Sequence, residues 1–88
     1  ALPEQTKGMT AKRLSPTRAK VSWAAQKDAT GHCIRLGIAP DKLYTSILLY
    51  DENEYTATFL DAGTQYFYAV DAFNENGITQ GEVRQMEG

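Results

Sequence analysis

Eleven residues late in the chain, Thr64-Gln65-Tyr66-Phe67-Tyr68-Ala69-Val70-Asp71-Ala72-Phe73-Asn74, constrain the fold more than any other stretch. Aromatic and β-branched side chains dominate them, and Asp61-Ala62-Gly63 and Asn76-Gly77 bound them, so they read as a strand between two turns. Successive side chains of a strand alternate faces. Tyr66, Tyr68, Val70 and Ala72 therefore share one side, the natural core face, and Phe67, Ala69, Asp71 and Phe73 share the other. A strand this apolar cannot stand alone in water, and other strands must cover it.

At 88 residues the chain has room for one small core, a size expected to bury roughly 60–65% of the surface its unfolded form exposes. With 42% apolar and 23% charged residues it suits an ordinary globular domain rather than a disordered chain or a coiled coil. Ile47-Leu48-Leu49-Tyr50 is the longest apolar run, far short of a membrane span. The single cysteine, Cys33, rules out an internal disulfide, so the core alone must hold the fold. Because the sequence opens on Ala1 and shows no signal segment, it reads as a module whose targeting segment lies elsewhere.

Strands recur about every ten residues between turn signals, the spacing of an all-β sandwich. Residues 1–7 are a lead-in, residues 8–86 the domain, and residues 87–88 a tail. Met9 to Arg13 is a weak first strand. After the Ser15-Pro16-Thr17 turn, Arg18 to Trp23 alternates cleanly, with Ala19, Val21 and Trp23 inward. A polar loop over 26–31 leads to a third strand in which His32, Ile34 and Leu36 point one way and Cys33 and Arg35 the other. Pro40 keeps the next connection out of any ladder. Leu43 to Tyr50 and Glu54 to Leu60 follow, then the central strand; Asn74-Glu75-Asn76-Gly77 is a hairpin signal, since Asn-Gly tolerates positive φ, and Ile78 to Met86 closes the sheet. The expected core is Trp23, Ile34, Leu60, Tyr66, Tyr68, Val70 and Ala72.

These residues resemble a fibronectin type III domain over about residues 3–86. The likeness rests on Trp23 ending the second strand, on Gly31-His32-Cys33-Ile34-Arg35, and above all on Leu60-x-x-Gly63-x-x-Tyr66-x-x-x-Val70-x-Ala72-x-Asn74. It implies a seven-stranded antiparallel β-sandwich of the immunoglobulin-like class, three strands on four. A Trp on the second strand and the missing cysteine pair favour it over a true immunoglobulin domain. Tyr66 matches the corner tyrosine, whose hydroxyl satisfies nearby backbone. His32 stands where Tyr is common and Ala62 where Pro is usual, and there is no Arg-Gly-Asp to support integrin binding. Residues 37–44 and 71–79 are further similar to C-terminal modules of exported bacterial glycoside hydrolases acting on arabinan or xylan. That implies an accessory module of an exported multidomain protein, monomeric in isolation, with a catalytic domain of the same chain as neighbour.

Catalytic machinery is not legible. His32 and Cys33 are adjacent in a strand and so point to opposite faces, which excludes a nucleophile–base pair. One His and one Cys make no zinc set. Asp51, Glu52 and Glu54 lack the spacing and glycine of a calcium loop. No carboxylate pair suits glycoside hydrolysis, and there is no phosphate loop. No enzyme activity, cofactor or metal is therefore expected. Charge is lopsided, with seven Lys/Arg against two carboxylates in residues 1–35 and two against nine in residues 36–88. Solubility and attraction between the halves are the plain account of it, docking of the basic part on an acidic partner surface the functional one; nucleic acid is not expected, because aromatics do not interleave with the basic residues, and neither is a membrane.

The remaining signal is the outer face of the sheet formed by the third, fourth, sixth and seventh strands, where Cys33, Phe67, Ala69 and Phe73 should lie, joined by one register of Ile47 and Leu49 or of Leu48 and Tyr50. Two exposed Phe on one strand, each worth roughly 1.5–3 kcal/mol if buried, would suit docking on a neighbouring domain; loops or long side chains covering them locally are the plainer account. Polysaccharide binding through Tyr44 or Tyr50 is an alternative, as is protein adhesion.

Overall fold

The computed structural model describes residues 1–87, and eight strands occupy it in chain order: β1 (Thr10–Ser15), β2 (Arg18–Ser22), β3 (Gly31–Gly37), β4 (Thr45–Tyr50), β5 (Glu54–Ala57), β6 (Phe67–Asn74), β7 (Gly77–Thr79) and β8 (Arg84–Gln85). They form two antiparallel sheets, β1-β2-β5 and β4-β3-β6-β7, with β8 also paired to β6. The fold is thus the antiparallel β-sandwich that the sequence predicts. β7 and β8 are two halves of the one closing strand predicted over 78–86. β7 pairs with residues 72–74 of β6 and β8 with residues 67–68.

The physical cause of that interruption is Asp71. Its carboxylate accepts the Gly81 backbone N–H at 2.8 Å, so the chain over 80–83 leaves the ladder to satisfy a side chain. Gly81 lies so close to β6 that a Cβ there would stand 2.1 Å from the Val70 carbonyl oxygen. Only glycine fits such an approach.

The inward residues of both sheets meet in one core: Ala11, Ala19, Val21, Trp23, Ile34, Leu36, Ala57, Leu60, Tyr68 and Val70 are all 4% exposed or less. Tyr66 and Met86 close its lower end, and Ala72 is fully buried on the same face of β6. Tyr66 lies just before β6 rather than in it, since the strand begins at Phe67. Its hydroxyl accepts the Asp61 N–H at 2.8 Å, tying the turn to the core. Arg13 braces the same corner: its guanidinium sits 5.2 Å from the Tyr66 ring centroid and donates to the carbonyls of Thr64, Pro16 and Asp61. A planar five-donor group is well suited to hold three carbonyls at once.

The hairpin forms over the predicted Asn74–Gly77 stretch. Asn74 pairs with Gly77, leaving Glu75-Asn76 as the loop, and the positive φ falls on Gly77 (139°). The Asn74 Oδ1 accepts the Asn76 N–H at 2.8 Å, so a side chain supplies the turn's closing bond.

Residues 1–7 lie against the sandwich, with Pro3 and Thr6 buried. Lys7 O accepts the Ala24 N–H, and Thr79 donates its hydroxyl to Pro3 O. Glu87 exchanges backbone bonds with β1, accepting from Arg13 N and donating to Ala11 O, each at 3.1 Å. Of the 87–88 tail, Gly88 lies outside the described residues.

Candidate functional site

Strand register assembles the outer face of the larger sheet. Tyr50 of β4, Gly31 of β3, Phe73 of β6 and Ile78 of β7 stand in one cross-strand row, and Leu48, Cys33 and Asp71 in the next. Ser46, Arg35 and Ala69 make the third row, and Gly37, Phe67 and Gln85 the last.

Three of these residues are the sequence-predicted docking set, and none of them is exposed. Cys33, Phe67 and Phe73 are each half-buried by their own sheet. Phe73 illustrates how. A Cβ on Gly31 would stand 2.6 Å from the Phe73 ring, so the ring lies over the bare glycine, and Tyr50 meets it edge-on with centroids 5.6 Å apart. The two rings touch across β3 because that strand offers no side chain between them. The expectation of two exposed Phe is thereby corrected: both are half-buried, and Tyr50 covers Phe73 across the bare Gly31. Ala69, also expected outward and open, is wholly buried, and Asp71 is 5% exposed.

Asp71 is the face's one buried carboxylate among the described residues. Arg35 donates to both its oxygens, Nε at 2.8 Å and Nη2 at 3.1 Å, and the Gly81 N–H supplies a third bond. A buried charge is tolerated only when so completely paired. The pair occupies the middle of the face, and exposed apolar residues stand on the strands that flank it, β4 and β7. There Leu48 and Tyr50 are each 55% exposed and Ile78 is 63% exposed. Sequence reasoning named Leu48 and Tyr50 only as one of two possible registers and missed Ile78, whose outward position follows from its pairing with Phe73.

At the opposite end of the molecule, Leu36, Gly37, Ile38, Lys42, Tyr44, Thr45, Phe59 and Tyr66 line an open groove of about 320 Å³. Tyr44 stands 82% exposed on its rim.

His32 and Cys33 diverge as adjacent strand residues must. His32 is buried with its ring 5.3 Å from Trp23, while Cys33 faces outward. Burial lowers the His32 pKa, with Asp28 acting weakly the other way. Gln26 spends its amide N–H groups on Glu4 O and the Asp28 carboxylate, so its Oε1 accepts from His32 Nε2–H at 3.1 Å. The imidazole thus presents Nε2–H to Gln26 within a structural network, and burial favours its neutral form. Burial, then the Asp71 charge, raises the Cys33 pKa, which makes the thiol a poor nucleophile at neutral pH. Asp51, Glu52 and Glu54 are exposed, and no cluster of three His, Cys, Asp or Glu close enough to hold a metal occurs among the described residues.

No family model matches the chain, and no curated protein does. Solved structures do. A Fn3-like protein from Clostridium thermocellum superposes with a TM-score of 0.84 at 23% identity, over 100% of this chain and 96% of that one. The FN3 domain of human collagen XX gives 0.83 at 14% identity, over 98% and 91%. The chicken CNTN1 FN1-FN3 domains give 0.84 at 27% identity over 97% of this chain, which spans only 30% of that longer one. With three strands packed on a five-stranded sheet in which β7 and β8 share one edge, the corner tyrosine and these superpositions, the chain has the fibronectin type III fold.

Proposed function

We propose that the chain is a non-catalytic accessory module of an exported multidomain protein, a polysaccharide-degrading glycoside hydrolase, and that it docks on a neighbouring domain through the outer face of its larger sheet. The observation that carries this is the apolar ground formed by Leu48, Tyr50 and Ile78, on a face whose other apolar residues are already covered. Apolar side chains exposed together on one strand-built face mark a contact surface more often than they serve a free monomer. The sequence likeness of residues 37–44 and 71–79 supports the enzyme context. The fold's occurrence as one part of a longer chain in the CNTN1 structure supports a modular role. A buried, neutral His32, an unreactive Cys33 and an Asp71 fully engaged with Arg35 support a structural rather than chemical use of the titratable groups.

Carbohydrate binding is the second reading, favoured by Tyr44 beside the groove bordered by Ile38 and Phe59. An exposed aromatic ring next to a polar rim can stack on a sugar face. One experiment separates the two. The ¹⁵N-labelled chain is titrated first with the isolated neighbouring domain and then with arabinan and xylan oligomers. Docking predicts shifted amides at Leu48, Tyr50 and Ile78 with the domain and none with sugar. Shifts confined to Tyr44 and Phe59 with sugar would replace the docking reading by the second.

A further inference from the structure

A β-sandwich has four outer edges, each a row of unpaired N–H and C=O groups that can template another strand. Three are managed here. Residue 87 takes the β1 edge through its bonds to Ala11 and Arg13. β5 is four residues long and carries Glu54, paired with Lys20 at 2.8 Å. The β7–β8 edge is broken over 80–83, and the N-terminal segment braces it through Pro3 O to Thr79 and the Gln5 amide to Gln80 O.

β4 is the exception. Thr45-Ser46-Ile47-Leu48-Leu49-Tyr50 bonds to β3 on one side only, and no other described segment joins it. The strand contains no charge, no proline and no glycine, and none of its six residues is buried. Its charges lie just outside, with Asp41 and then Lys42, the nearer to the strand, before it and Asp51 and Glu52 directly after. An antiparallel copy of the same strand therefore meets no like charge along its length. Lys42 of each copy comes to the Asp51-Glu52 end of the other, and the two Leu48 side chains meet near the axis.

We propose that β4 is a self-association edge: two copies of this chain pair β4 to β4 about a two-fold axis, joining their five-stranded sheets into one. This departs from the monomer expected of the isolated module. It uses the strand's free edge rather than the outer face and stands whether or not that face docks. The isologous arrangement needs no second patch, because a strand with complementary ends is its own partner.

Sedimentation equilibrium of the 88-residue chain at low ionic strength tests it. A reversible dimer is expected with a Kd on the order of 100 μM, in keeping with an interface smaller than about 1,200 Å². Lys42→Glu and Glu52→Lys each place like charges together at both ends and weaken the dimer roughly tenfold. Mixing the two variants restores opposite charges at both ends, so the mixture associates within about twofold of the unsubstituted chain. Circular dichroism checks that both exposed substitutions leave the fold intact. A chain that stays monomeric to about 1 mM, variants that dimerise undiminished, or a mixture no tighter than its components would each overturn the proposal; so would a dimer abolished by Ile78→Ser, which touches the face and not the edge.

Discussion

The two faces of β6 obey different rules. On the inner side Tyr68, Val70 and Ala72 are buried because a second sheet lies over them. On the outer side Ala69 and Asp71 are buried almost as well with no second sheet at all; Arg35 and the Gly81 N–H bond to Asp71, and the Tyr50 and Phe73 rings meet over Gly31 in the next row. Burial on the first face comes from apolar contact between distant segments and on the second from specific polar bonds and ring contacts. Apolar surface left over is consequently displaced sideways, from the central strand to β4 and β7.

The sharpest break in that comparison is Ile34→Ala. Ile34 is 1% exposed on the inner side of β3, and its truncation is expected to cost about 3–4 kcal/mol in urea unfolding. Leu48→Ala on the neighbouring strand's outer side should stay within about 0.5 kcal/mol. Equal effects would mean that the outer face contributes to the core.

Next in size is Asp71→Ala, expected to cost about 3 kcal/mol because it strands Arg35 and orphans the Gly81 N–H. The Arg35 side chain is 25% exposed and can recover part of its hydration, which keeps the loss below that of a fully enclosed pair. Asp71→Asn keeps an acceptor for Gly81 and should lose less; a loss as large would show that the charge and not the bond to Gly81 holds the segment. Tyr66→Phe removes the acceptor of the Asp61 N–H at the opposite end and should cost about 1–2 kcal/mol by the same measurement.

The smallest effect is a pH dependence from His32. Its folded pKa lies below the ordinary 6.5, so the unfolded chain binds the proton first. This part of the stability is complete above that value and declines as pH falls through it toward the folded pKa. Thermal midpoints measured across that window should fall toward acid in the unsubstituted chain and fall less in His32→Gln. A midpoint rising toward acid would mean that Asp28 outweighs burial.

Inner positions were legible in the sequence because one rule, alternation, governs them. Val21, Trp23, Ile34, Tyr68 and Val70 all sit on the parity that the apolar pattern marks. The Leu60-to-Asn74 run also located the corner in advance, since Tyr66 and the turn it bonds are close in sequence. The outer face was not legible. Alternation places Asp71 and Phe73 outward correctly, but whether they meet water depends on Gly31 lacking a side chain and on residues 80–83 folding back, and neither leaves a periodic trace. Arg13's bonds to three carbonyls, up to 51 residues away, are likewise invisible to local pattern.

The double substitution Leu48→Ser with Ile78→Ser, followed by thermal unfolding in two settings, tests the central claim that the displaced apolar ground serves a neighbour rather than the fold. In the isolated 88-residue chain the midpoint should not move by more than about 2 °C. In the parent chain the module should lose its coupling to the neighbouring domain and melt as a separate transition. A substantial loss in the isolated chain, or an unchanged single transition in the parent, would contradict the account.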